Sequence, residues 1–234
     1  MKQTFVRFSR RQRVEHLLVM SLFIVLAVTG FPQKFSDARW ARGALELMGG
    51  VEIARATHRF AGIAFALLAA VHLGAAILLV ARGRARPSMI PHRKDFADAI
   101  KTLRYYLGAS EEQARFDRYD YRQKFEYWGI IMGGLLMVAT GLVLYFPLAV
   151  TRVAPGVLIP VAKVAHSNEG LMAFLVVLTW HVYNAHLNPD VFPFDTTIFT
   201  GKISRHRMEA EHPLELKRLT GDAAPPRGDG EKSA

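Results

Sequence analysis

Cysteine is absent from the 234 residues. The chain therefore makes no disulfide, no thiolate metal site, no cysteine-held iron–sulfur cluster and no thioether-linked cofactor, and any redox group must be held by other side chains. Acidic side chains are also scarce. Twenty Asp and Glu stand against thirty Lys and Arg, for a formal charge of +10. Polar residues are few, because 51% of the chain is hydrophobic before its 18 glycines are counted, above the usual share for a soluble domain.

What is there instead is four apolar runs, at 14–31, 57–80, 127–148 and 166–187. Each approaches or exceeds the roughly 18 residues that cross a bilayer as a helix. They lack strict alternation, and lipid admits only helices or closed barrels, so they read as helices. The first run continues through VTGFPQKF without a small-residue cleavage site, and a second span follows, so it reads as a span and not a removed leader.

The basic residues are distributed as in a membrane protein. Lys2, Arg7, Arg10, Arg11 and Arg13 precede the first span, and Arg82, Arg84, Arg86, Arg93, Lys94, Lys101 and Arg104 follow the second. Lys202, Arg205 and Arg207 follow the fourth, whereas the connector between spans three and four has only Arg152 and Lys163. The first outer loop adds Lys34, Arg39, Arg42, Arg55 and Arg59, which narrows the contrast. Excess Lys and Arg marks the cytoplasmic side and meets anionic headgroups, so the charge implies a lipid partner and no nucleic acid. The expected fold is an all-α integral membrane protein, a four-transmembrane-helix bundle with both termini cytoplasmic. SDARWARGALELMGG and KDFADAIKTLRYYLG read as short amphipathic helices at the outer and inner interfaces, the second closed by Gly108. Residues 1–221 form one expected membrane domain, and 222–234 a disordered polar tail.

Of nine histidines, His92, His206 and His212 fall in polar loops and read as solvated. The other six, His16, His58, His72, His166, His181 and His186, lie in or beside the spans, where an ionisable group is a functional candidate. With the termini inside, His58 and His166 sit near the outer face and His16, His72, His181 and His186 nearer the inner one. His58 and His72 are fourteen residues apart, roughly 21 Å of helical rise. Two imidazole layers suit two flat haems, each gripped from facing helices. The alternatives are interhelical hydrogen bonds for single histidines and a tetrahedral zinc ion, which two layers fit less well. Gly62, Gly74, Gly129, Gly133, Gly134, Gly141 and Gly170 would let a macrocycle approach or would let helices pack.

Several segments in order resemble the membrane cytochrome b (gamma) subunit of formate dehydrogenases and the related cytochrome b of nickel–iron hydrogenases. These are RVEHLLVMSLFIVLAVTGF, RATHRFAGIAF, QKFEYWGIIMGGLLMVATGLVLYFP, the pair His166 and Gly170 with HVY, and GKISRHRMEAEHP. The similarity covers about 11–213. It implies two non-covalent b-type haems, the outer held by His58 and His166 and the inner by His16 and His181. Fifteen residues separate His166 from His181, one more than in the family, which would turn His181 by about 100° unless a π-bulge absorbs the extra residue. His72 and His186 are additional to the family pattern and would replace His181, serve a third haem or bond propionates. Arg13, Arg55 and Arg59 are candidates for haem propionates or for anchoring helix ends. The resemblance places quinone beside YDYRQKFEYW, with Asp120, Gln123 and Lys124 as candidate contacts, or else this is a solvated helix start.

The implied function is electron transfer between a periplasmic redox partner and the quinone pool of the bacterial inner membrane. The partner would be an iron–sulfur subunit of a formate dehydrogenase or hydrogenase, or a multihaem c-type cytochrome, as TGFPQKFSD and WHVYNAHLNPD also suggest. The chain would be an electron-transfer subunit of an oxidoreductase complex, with no catalytic residue for substrate oxidation of its own. The competing readings are a non-redox membrane anchor or proton-relay transporter, and a stand-alone ferric or superoxide reductase.

Overall fold

The computed structural model describes residues 3–189 and 191–221. The expected tail, 222–234, lies outside them. Four helices are long and apolar enough to span a membrane: α1 (Arg10–Lys34), α3 (Val51–Ala81), α5 (Tyr121–Tyr145) and the fourth, Leu158–Leu187. α1 and α3 overrun their expected stretches at both ends, α5 starts six residues earlier than expected but stops at Tyr145, three short of the expected end, and the fourth starts eight residues early in a largely apolar stretch. Ile24, Leu67, Leu136 and Leu175 stay exposed, as lipid-facing side chains do. The protein is a multi-pass helical membrane protein.

One compact unit comprises Arg10–Ala85 and Gly129–Asp195. Its helices run antiparallel to their neighbours. On α1, Leu26 Cδ2 lies 4.0 Å from where a Cβ on Gly62 of α3 would sit, and Phe31 meets Phe174 of the fourth helix edge-on, ring centroids 4.8 Å apart. Gly134 of α5 accepts the Phe65 ring, and Gly170 accepts Met137, so these glycines serve helix packing. Lys34 ties the end of α1 to Asn168 Oδ1 at 2.8 Å. The short α2 (Arg39–Leu47) bears exposed Trp40 and Leu47, the expected interfacial helix. Gly49 and Gly50, at φ of 88° and 103°, turn the chain into α3 in a conformation that favours glycine. A short α6 (Pro147–Val153) follows α5.

The fourth span starts as α7 (Leu158–Val176) and continues in π-helical turns, Val177–His181 and Tyr183–Leu187. Such turns hold one more residue than an α turn. The extra residue between His166 and His181 is absorbed here.

The other unit comprises the chain up to Ser9, Arg86–Trp128, and the chain from Thr196. Its α4 (Arg93–Tyr106) starts where the His92 N–H donates to Asp95 Oδ2 at 2.6 Å and stops before Gly108, at φ 71°. Phe96, Ile100, Leu103 and Leu107 make one exposed apolar stripe, as an interface helix requires. A two-stranded antiparallel ribbon pairs β1 (Thr4–Val6) with β2 (Lys202–Ser204), Phe5 opposite Ile203. It was not foreseen, and neither were α8 (Thr197–Thr200), α9 (Arg205–Glu211) and α10 (Pro213–Thr220). Ile203, Met208 and Leu216 form a small core with Phe5 against it.

Beside this core Arg7 and Glu215, each 3% exposed, form an ion pair of 2.7 Å. Arg118 Nη1 donates to the other Glu215 oxygen at 2.8 Å, and each of the two guanidinium groups also donates to the other's backbone carbonyl. His212, expected to be solvated, is instead 4% exposed and donates from Nδ1 to the Asp117 carbonyl at 2.9 Å. Burial, with Arg7 nearby, pushes its pKa down to about 3, so it stays neutral. His92 and His206 are exposed as expected.

Candidate metal centres

His58 on α3 and His166 on α7 face each other with ring centroids 6.2 Å apart. The ring orientation is set from behind. Thr29 on α1 donates its hydroxyl proton to the Val25 carbonyl at 2.7 Å and stands 3.0 Å from His58 Nδ1. Thr140 on α5 donates to the Leu136 carbonyl at 2.7 Å and stands 3.0 Å from His166 Nδ1. Each hydroxyl has spent its one proton, so the ring nitrogen is the donor and the hydroxyl oxygen accepts. Hydrogen bonds from the rings to the Leu26 and Met137 carbonyls agree, since a carbonyl only accepts. With the proton on Nδ1, the lone pair lies on Nε2, the nitrogen available to a metal. Gly30 and Gly141, next in sequence to the two threonines, make room: a Cβ there would come 3.1 Å from His58 Cε1 and 3.3 Å from His166 Cε1.

His16 on α1 and His181 in the π-helical segment repeat the pair. Their centroids are also 6.2 Å apart, with the ring planes at 38°. His16 and Thr29 are thirteen residues apart on α1, so about 20 Å of rise separates the levels. His16 Nδ1 is buried without a hydrogen-bond partner among the described residues.

Both distances fit imidazoles on opposite sides of one iron. Metal–nitrogen bonds of about 2 Å, plus roughly 1 Å from each ring nitrogen to its ring centre, sum to about 6 Å. Among the described residues no three His, Asp or Glu side chains converge on one metal position, whereas structural zinc takes four ligands and catalytic zinc three from the protein. Two-sided imidazole pairs suit haem.

The remaining candidates are placed as follows. His72 pairs through Nδ1 with Glu15 Oε2 at 2.9 Å, and Glu15 also pairs with Arg11. His186 stacks on Phe194, centroids 4.1 Å apart, and its Nδ1 accepts from the Asp195 N–H at 3.3 Å. A neutral ring accepting at Nδ1 carries its proton on Nε2. Arg55 pairs with Glu52, Arg59 lies over the Tyr145 ring at 5.2 Å, and Arg13 is half-buried at the start of α1.

Asp120, Gln123 and Lys124 form the start of α5. Asp120 Oδ1 accepts from the Gln123 backbone N–H at 2.8 Å, while Gln123 Oε1 accepts from the Asp120 N–H, a reciprocal cap. Asp120 also pairs with Arg122, and Lys124 with Asp95. Burial works to raise the Asp95 carboxyl, but the bonds from Lys124 and the His92 N–H hold it below the usual range.

Residues 7–191 match the sequence model of the family described as prokaryotic cytochrome b561. The chain belongs to that family. It carries b-type haem as its redox group and resides in the bacterial inner membrane. Among curated proteins it is 27% identical to the cytochrome b556(fdo) subunit of formate dehydrogenase from Escherichia coli, over 79% of this chain and 80% of the relative. It is 26% identical to a formate dehydrogenase cytochrome b556 subunit of Haemophilus influenzae, over 77% and 70% of the two chains. The nitrate-inducible cytochrome b556(Fdn) subunit of E. coli is 23% identical, over 92% and 91%.

Four side chains at these levels escape a reading of histidines alone: Thr29, Thr140, Glu15 and Glu169. The two Thr-Gly pairs, VTGF and ATGL, were visible as motifs of the family, but only three dimensions show the imidazole behind each. Glu169, whose Oε1 would lie 2.7 Å from a Cβ at Gly133, sat unremarked within an apolar run.

Proposed function

We propose that the chain is a di-haem cytochrome b subunit of a formate dehydrogenase-type complex, carrying electrons between a periplasmic iron–sulfur partner and the membrane quinone pool. The observation carrying this reading is one 6.2 Å imidazole pair repeated at two levels of a lipid-spanning bundle. His58 with His166 would hold one haem, and His16 with His181 the other. Bound haem supplies a one-electron ferric–ferrous couple at each level. The two imidazoles at each level would hold it, and the apolar helices around them would keep water from the site. His72 and His186 brace this end of the bundle through Glu15 and Phe194, and Arg13, Arg55 and Arg59 are assigned to propionates near the helix ends.

The relatives' names support the formate dehydrogenase assignment. For quinone, Asp120 and Lys124 are already paired, which leaves the Gln123 side-chain N–H₂ as the donor for a quinone carbonyl.

Purified protein is expected to give a b-type pyridine haemochrome with two haems per chain. His58→Ala or His166→Ala should remove one haem, and His16→Ala or His181→Ala the other. Gln123→Ala should slow reoxidation by a quinone analogue several-fold with both haems retained. A preparation without b-type absorbance would favour the membrane-anchor or proton-relay reading instead.

A further inference from the structure

One dipeptide, Thr-Gly, occurs in two different spans and does the same thing in each. Thr29 and Thr140 are 5% and 9% exposed, too buried to trade their partners for water. Each hydroxyl is locked by a 2.7 Å bond to the carbonyl four residues before it, and each turns its oxygen to an imidazole Nδ1 at 3.0 Å. The following glycine leaves the imidazole Cε1 the space it needs. An isolated threonine–histidine contact between membrane helices would be an ordinary packing bond. Here the same atoms, distances and neighbouring glycine recur, and they fall on both members of one imidazole pair. The other pair differs: His16 Nδ1 is buried with no partner among the described residues.

We propose that Thr29 and Thr140 are positioning residues that tune the haem site held by His58 and His166. By accepting the Nδ1 proton, each fixes the tautomer that presents Nε2 and makes the imidazole a more basic ligand. A more basic axial pair favours ferric iron, so the His58–His166 site has a lower reduction potential than it would without the hydroxyls. The inference rests on the di-haem reading above and adds a lowering of one haem's potential by the two Thr-Gly pairs.

The test uses purified haem-loaded protein in a potentiometric titration followed optically. Thr29→Val and Thr140→Val, which keep side-chain shape, should each raise the midpoint of one haem and leave the other in place. The expected size is about a tenfold change in the oxidised-to-reduced ratio, about 59 mV for a one-electron couple. The low-spin ferric EPR g-values of that haem should move with it, and Thr29→Ser and Thr140→Ser should restore both readings. Valine variants that hold two haems with unchanged midpoints, or that shift both haems alike, would overturn the proposal. If a valine variant fails to hold its haem, the serine variant decides: a wild-type midpoint supports the proposal and a displaced one refutes it. Fewer than two b haems in the unaltered protein would instead overturn the di-haem reading itself.

Discussion

The π-helical turn Val177–His181 leads to an asymmetric prediction about chain length. An α-helix advances about 100° per residue, and an imidazole tip sits roughly 5–6 Å from the helix axis, so one residue of phase error moves it by about 8 Å. That displacement exceeds the 6.2 Å separation of the His16 and His181 rings and would end their pairing. A deletion within the turn is different, because a π turn already carries one residue too many for an α-helix. Deleting Leu178 should let the segment close as an ordinary α-helix with His181 still facing His16. Inserting an alanine after Leu178 should turn His181 away. The assay is haem per chain by pyridine haemochrome. Two haems are expected in the deletion variant and one in the insertion variant, with the His58–His166 haem spectrally unchanged in both. A deletion that loses a haem while the insertion keeps both would refute the phase argument.

Two further outcomes follow from the packing. Gly30→Ala and Gly141→Ala would press a Cβ to 3.1 and 3.3 Å from imidazole carbons held in place by threonines. Each should cost about 1–3 kcal/mol and lower occupancy of that haem. Gly62→Ala, with Leu26 Cδ2 at 4.0 Å, should bind haem normally. In the other unit, His212 is held neutral with its pKa lowered from 6.5 to about 3, chiefly by burial. The unfolded chain therefore binds the extra proton between those values, and the stability is fully present above pH 6.5 and is lost as pH falls towards 3. The loss is at most about 5 kcal/mol. The protection factor of the Leu216 amide, bonded to the His212 carbonyl, should fall below pH 6 and do so less in His212→Asn.

The spans were legible because twenty or so apolar residues have few other uses, and the bilayer removes every alternative but a helix. That His58 and His166 lie at one level followed from the topology and the helical rise, which survives errors of a residue or two, while their pairing on one haem was implied by the family resemblance. The His181 problem was also visible, because fifteen residues do not fit a regular helix, and the π-bulge was the stated remedy. The cap around Arg7 and Glu215 was not legible. Its partners are separated by 208 residues, and no periodicity in a short polar stretch announces a contact at that range. His212 was misread for the same reason: a polar neighbourhood in sequence became a buried one when Arg7, Asp117 and Arg118 folded around it. Thr29 and Thr140 look like ordinary helix residues until the imidazoles behind them are seen.

The register of the small ribbon also fixes an order of events during synthesis. Thr4 leaves the ribosome before any of the four apolar helices, and its strand partner Ser204 emerges only after all four have been made. Until Glu215 follows, the Arg7 guanidinium must wait without its carboxylate, and the seam between these two stretches stays open. A nascent chain stopped short of that carboxylate would hold every imidazole described above and still lack its closing clasp.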